Sequence, residues 1–184
     1  MTQRVKEENE VHLKDVERRL IAELMLNSRR SDRDLSKAVG VSQPTVSRLI
    51  KKLENQGVIK EYTMIPDFQK LGFELLVMTF IKLKRSLTAE EADRAREITK
   101  QRIRDSQFAI IATERGMGLG YDGVVVSLYE DFASYIKHKN QIQSFAFLEL
   151  SETESFIISL NDKVRYRQLT LSALAKHLLI QRKT

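Results

Sequence analysis

Gln43, Thr45, Ser47 and Arg48, followed closely by Lys51 and Lys52, crowd into the stretch SQPTVSRLIKKLENQG. Amide, hydroxyl, guanidinium and ammonium groups at this density make hydrogen bonds and ion pairs. At about 100° per residue of helix, Val46, Leu49, Ile50 and Leu53 share one face, and Pro44, Arg48, Lys51, Lys52 and Asn55 share the opposite one. Gln43, Thr45 and Ser47 line the N-terminal flanks, with Ser42 as the cap and Pro44 in the first turn, where its missing N–H costs nothing. The major groove of duplex nucleic acid admits such a helix, and short polar side chains near its N-terminus reach base edges. Gln43 suits adenine, Arg48 can fork onto guanine or grip phosphate, and Thr45 can touch a thymine methyl. Lys51 and Lys52 are expected on phosphates, which supply affinity without sequence information. Arg29, Arg30 and the backbone N–H at Ser31 are expected to clamp the neighbouring strand.

Other chemistry is sparse. GLGYDG (Gly118, Gly120, Gly123) fits G-x-G-x-x-G. A dinucleotide site needs a helix N-terminus after it, whereas the β-branched VVVSLY follows, so the segment reads as a glycine-rich hairpin. His12, His138 and His177 are far apart, and His138, in KHKN at a helix end, is expected to be solvent-exposed. Without cysteine or a spaced His/Asp/Glu cluster, neither a metal site nor a cofactor is expected. No serine elbow or acid–base pair suggests catalysis.

The elements that must carry the basic face are well punctuated. Val16, Leu20, Ile21, Leu24 and Met25 recur at helical spacing, predicting a first helix from Leu13 to Asn27. Ser31 and Asp34 form a weak capping box, Leu35, Ala38 and Val39 give a second buried face, and Gly40 stops that helix. The third helix ends at Gly57. Two helices around a tight glycine turn make a helix-turn-helix. VIKEYTMI then reads as a β segment, half of a hairpin or wing, and PDFQKLG, with Pro66 and Gly72, as a linker.

Beyond the linker the period changes. FELLVMTFIKL, FAIIATER and YDGVVVSLY read as strands, with one or two more in FAFLELSETESFIISL. A charged helix with a Thr88–Glu91 capping box follows the first strand, and EDFASYIKHKNQI, with apolar Phe132, Tyr135 and Ile136, follows the third. The tail QLTLSALAKHLLI is helical. The order β-α-β-β-α-β is that of a ferredoxin-like antiparallel sheet with two helices on one face. The fold class is therefore α+β. Residues 1–65 form a winged helix-turn-helix domain, 66–72 a linker, and 73–184 a ferredoxin-like domain with a C-terminal helix.

Charge is concentrated. Of a formal net charge of +6, the window from Asn27 to Lys60 holds +5: eight basic residues, Arg29, Arg30, Arg33, Lys37, Arg48, Lys51, Lys52 and Lys60, face three acidic ones, Asp32, Asp34 and Glu54. An anionic partner, double-stranded DNA, follows from that placement. The absence of cysteine, the charged N-terminus and the lack of any apolar run of about 20 residues predict a soluble cytoplasmic protein outside the membrane. Strands such as LLVMTFIKL are apolar on both faces, so the sheet side away from the helices needs a cover. A second copy supplies one, predicting a homodimer with sheet packed on sheet.

DLSKAVGVSQPTVSRLIKKLENQGVIKEYTMIPDFQKLGFELLVMTFIKL resembles the N-terminal half of the leucine-responsive regulatory protein (Lrp/AsnC) family of prokaryotic transcription regulators, closely so through Leu83. Beyond it the agreement lies in element order and in a G-x-D, Gly120 and Asp122, leading into VVVSLY. The resemblance implies a winged helix-turn-helix followed by a dimerising ferredoxin-like domain, often assembled further and often sensing an amino acid. It places Gly118, Gly120 and Asp122 near an effector pocket, with the glycines letting backbone N–H groups approach a carboxylate and Asp122 accepting from an ammonium. The residues themselves leave open whether any effector exists. They also leave two rival functions: a partner-binding adaptor, or a small-substrate enzyme on the ferredoxin-like domain.

Overall fold

A computed structural model describes residues 11–145, 149–164 and 169–180. The elements run α1 (Asp15–Leu26), α2 (Asp32–Val39), α3 (Gln43–Asn55), β1 (Leu75–Leu83), α4 (Ala89–Arg104), β2 (Ala109–Gly118), β3 (Tyr121–Tyr129), α5 (Phe132–Gln143), β4 (Leu150–Ser159) and α6 (Ser172–Ile180). They fall into two compact units, the described parts of Met1–Ile65 with Tyr166–Thr184, and Pro66–Arg165. The C-terminal helix thus groups with the helix-turn-helix rather than with the sheet.

In the first unit α1, α2 and α3 close on one core. Leu20, Leu35, Val39, Val46 and Leu53 are each at most 1% exposed, with Leu24, Leu49 and Ile50 packed around them. Burying a side chain of this size contributes about 1.5–3 kcal/mol, so the cluster dominates the unit's stability. The helix boundaries follow from caps. Ser31 Oγ accepts from the Asp34 N–H at 3.2 Å, and Gly40 ends α2 in the left-handed region at φ 76°, where a Cβ would be strained. Arg19 adds a second stop by donating to the Val39 carbonyl at 3.0 Å. On another side of α1 packs α6, with Ala22 and Ala175 both wholly buried.

Among the described residues, Val58–Ile65, which reads as a β segment, pairs with no strand. Only eight residues separate Gly57 from Pro66, too few for two strands and a turn, so the segment cannot form a hairpin by itself.

The second unit is a four-stranded antiparallel sheet in the order β2-β3-β1-β4, the ferredoxin-like order that the sequence predicts. Thr88 and Glu91 form the expected capping box of α4, with reciprocal bonds of 2.9 and 3.2 Å. Arg85 adds a fork onto Glu91 at 2.7 and 2.9 Å, and this guanidinium holds the carboxyl down at about 2. Val77 of β1 packs with Tyr129 and Tyr135, so the helices lie on the Val77 face. By alternation the other face carries Leu76, Met78 and Phe80 of β1. The register sets Leu76 between Leu128 and Ile158, Met78 between Val126 and Phe156, and Phe80 between Val124 and Glu154. Its apolar rows include Phe156, which is 60% exposed. Among the described residues of the region that reads as one or two strands there is one, β4; Phe147 lies outside the described residues.

Candidate nucleic-acid interface

On α3 the expected division of faces is present: Val46 and Leu53 are buried, while Ser42, Gln43, Pro44, Ser47, Arg48, Lys51, Lys52 and Asn55 are exposed and Thr45 is half-buried. The exposed group divides again by what each side chain already holds. The Gln43, Arg48 and Lys51 side chains have no hydrogen-bond or ion-pair partner among the described residues, and Pro44 stands beside them in the first turn. Ser42 sits at the N-cap position, but its hydroxyl bonds the Thr45 hydroxyl at 2.9 Å rather than a backbone N–H.

Three of the side chains expected at the interface, those of Lys52, Ser47 and Arg30, hold partners within the unit. Lys52, expected on phosphate, donates to Glu17 Oε1 at 2.6 Å. Glu17 is only 1% exposed and its Oε2 accepts the Lys14 N–H at 2.8 Å, so both carboxylate oxygens are used. Those two donors, Lys52 foremost, hold its pKa below the usual carboxylate range. Lys52 therefore anchors α3 to α1, because a buried carboxylate left alone would carry a large desolvation cost. The Ser47 hydroxyl donates to Asp32 at the start of α2, tying the two helices of the motif together. Arg30 pairs with Glu23 of α1, and the Ser31 hydroxyl donates to Asp34 at 2.6 Å. Arg29 is exposed and its side chain has no partner among the described residues.

The sequence reading missed the anchors: Glu17, Asp32 and Arg19, and Glu54, which accepts from the Tyr62 hydroxyl at 3.0 Å. Desolvation, then Glu54, raises that phenol to about 12. Glu17 left a signal. It stands in helical phase with Leu13, Leu20 and Leu24 on the apolar stripe, where a carboxylate must have a partner. The other anchors depend on helix–helix geometry and left none.

The residues expected at an effector site have visible structural work. Gly118 ends β2, and Leu119 and Gly120, at φ 53° and 81°, make a two-residue hairpin turn with positive φ at both positions. Asp122 Oδ2 accepts the Leu83 N–H at 2.8 Å at the end of β1, leaving Oδ1 without a partner among the described residues. Asp122 also lines a cavity under α4. The third glycine of the motif, Gly123, is needed for close approach, since a Cβ there would sit 3.0 Å from the Glu114 carbonyl oxygen. His138 is corrected outright: it is 6% exposed, with Nδ1 2.6 Å from the Tyr129 hydroxyl. It lies one turn after Tyr135 on the inner face of α5, which turns Phe132 and Ile136 outward. Among the described residues no cluster of His, Asp and Glu could hold a metal ion, and no helix is long and apolar enough to cross a membrane.

Known proteins match this arrangement. The sequence model for winged helix-turn-helix DNA-binding domains matches residues 13–60. An uncharacterized HTH-type transcriptional regulator of Pyrococcus furiosus is 29% identical over 130 residues, covering 69% of this chain and 81% of that one. Among solved structures, an AsnC family transcriptional regulator from Agrobacterium tumefaciens superposes with a TM-score of 0.67 at 21% identity, covering 88% of this chain and 99% of the other. A transcriptional regulator of Neisseria meningitidis, solved as its L-Met complex, does so with a TM-score of 0.69 at 17% identity, covering 91% and 100%.

Proposed function

We infer that this chain, a helix-turn-helix DNA-binding transcription regulator with the Lrp/AsnC fold, acts as a homodimer that lays one α3 into each of two major-groove half-sites. One observation carries the reading: Gln43, Arg48 and Lys51 stand outward and unpaired on a helix fixed from behind by the Glu17–Lys52 pair. A free guanidinium or amide bound to bases replaces water without breaking any bond of the fold. In this reading Gln43, Pro44 and Arg48 meet base edges, with the Ser42–Thr45 hydroxyl pair beside them, and Lys51 and Arg29 meet phosphates. Ser31, Ser47, Arg30 and Lys52 set the helix orientation instead.

The open face of the sheet supports the dimer. Its apolar rows around Met78 present a self-complementary patch of the kind that a second copy covers. Two linked reading heads bind a two-fold site far better than one. The first unit is then the DNA-binding domain and the second the dimerisation domain, joined through residues 66–72. The L-Met complex of the structural neighbour supports a small effector, with Asp122 Oδ1 open to an ammonium group and Gly118 and Gly120 beside it. Regulation in the cytoplasm, without catalysis, completes the reading.

The test is titration of duplexes selected from random sequence, at several salt concentrations. Affinity falls steeply with added salt, by a slope near the number of phosphates neutralised. Binding that ignores salt and sequence would show the basic helix to be a protein-docking or merely solvated face.

A further inference from the structure

The chain passes between the two units twice. It leaves the helix-turn-helix unit after Ile65 and rejoins it ahead of α6. Within the sheet unit both crossings start from one place. β1 and β4 are neighbours, and the start of one pairs with the end of the other, Leu75 with Ser159. The pairing runs on past both strands. The Leu160 N–H donates to the Glu74 carbonyl at 2.7 Å, and the Gln69 side-chain amide donates to Asn161 Oδ1 at 3.0 Å. Each crossing also has a turn of its own. Asp67 Oδ1 accepts the Gln69 and Lys70 N–H groups at 3.1 and 3.4 Å, and the Phe68 carbonyl accepts the Phe73 N–H at 3.0 Å. Asp162 Oδ1 accepts the Val164 N–H at 2.9 Å. Aspartates bonded two residues on in this way fix a turn, so neither crossing begins as free coil.

Within the helix-turn-helix unit the same two crossings are held again. Val58 and Ile59 pack on the core of α1, α2 and α3, and the Tyr62 hydroxyl donates to Glu54 at 3.0 Å. The second crossing ends on α6, where Thr170 Oγ1 accepts the Ser172 N–H at 3.2 Å and Ala175 is wholly buried in the packing on α1. Only residues 63–66 separate the Tyr62 anchor from the Asp67 turn, and Pro66 has its φ fixed by its ring. A unit hung on one such connection still rotates about it, since each residue keeps two soft dihedrals. A second connection that starts beside the first closes a loop through both units. Rotation about one crossing then stretches the other, and only rocking about the line joining them stays cheap.

We propose that the two crossings, sewn together at Glu74–Leu160 and Gln69–Asn161 and closed by α6 on α1, act as a double strap that fixes the rotation of the reading head, so that the dimer accepts a single half-site spacing. The consequence for DNA rests on the regulator reading, whereas the restraint belongs to the protein alone.

The sequence contains no cysteine, so a pair of spin labels can be placed freely. Lys37→Cys on α2 and Lys137→Cys on α5 replace exposed residues. Labelled together in one full-length chain and diluted with unlabelled protein, they report the distance between the units by double electron–electron resonance. The otherwise intact chain gives one narrow distribution. Inserting about ten Gly and Ser residues after Lys163 lengthens the second crossing without touching either core, and widens the distribution about twofold or more. Ala175→Glu widens it too, by forcing a carboxylate into a wholly buried contact. Should that variant fail to fold, as its thermal midpoint will show, the insertion decides the question by itself. The proposal is overturned if the unaltered straps already give a broad distribution, or if the insertion leaves it narrow. Duplexes with two half-sites stepped apart one base pair at a time read the consequence. The intact protein prefers one spacing by about tenfold or more and the lengthened chain by about threefold or less, with equal affinity for a single half-site. The same preference in both proteins overturns the spacing role. Failure of the intact protein to bind any duplex, with label distances that narrow and widen as expected, would instead remove the regulator reading and leave the strap in place.

Discussion

In the helix-turn-helix unit, five core side chains are at most 1% exposed, and the charges beside them are tied down by named partners such as Glu17 with Lys52. In the sheet unit the buried cluster is Val77, Tyr129 and Tyr135, the other face of the sheet carries the apolar rows around Met78, and a trough runs under α4. The difference teaches a division of labour. A surface that must present a fixed pattern of donors is best built on a closed core, because play in the core becomes play at the base edges. On the proposed function, the sheet unit leaves apolar surface for a second copy of the chain.

That contrast can be broken at several points. Phe156→Asp, at a position already 60% exposed in the protomer, leaves the fold intact but puts a charge into the proposed sheet–sheet contact. Sedimentation then shows monomer at micromolar concentration, and DNA affinity falls by about a hundredfold as the second reading head is lost; an unchanged dimer would move the interface elsewhere. Glu17→Ala costs the first unit about 2–3 kcal/mol, since two charge-assisted bonds disappear, read as a lower denaturant midpoint. The sign with pH follows from the depressed carboxyl. The stabilisation is fully present above the ordinary glutamate pKa and is lost as pH falls through the lower folded value, so the variant lacks that acid limb.

Arg48→Ala lowers DNA affinity by about 1–3 kcal/mol, while Lys51→Ala reduces the salt slope by about one, with neither changing stability. Lys52→Ala inverts this pattern, losing stability more than salt dependence, and an equal salt effect from both lysines would refute the anchoring role. Leu119→Asn is the smallest change. A leucine at φ 53° is disfavoured where asparagine is at ease, so the variant gains about 0.5–1 kcal/mol in thermal unfolding without altering DNA binding.

Much of this was legible from local rules. Ser31 with Asp34, Thr88 with Glu91, and Gly40 each act within one helical turn, so a linear string contains the whole interaction. The strand order was legible because alternating and continuous apolar runs in βαββαβ order admit few topologies. What escaped depends on tertiary placement. Lys51 and Lys52 are neighbours in sequence, and only the position of α1 gives one of them a buried carboxylate and leaves the other in solvent. His138 looked exposed because KHKN is polar, yet its phase on α5 follows Tyr135 into the core. The segment after Gly57 has strand-forming residues but no partner strand among the described residues, which composition cannot reveal.

The grouping of α6 with the helix-turn-helix has a consequence for synthesis. Ala22, ahead of the sheet in the chain, is covered in a unit whose last helix holds Ala175, behind it. The DNA-reading head is therefore begun before the sheet leaves the ribosome and finished only after it. A nascent chain stalled anywhere in the sheet carries a reading head with one flank of α1 still wet, and that flank closes once Ser172–Ile180 has emerged.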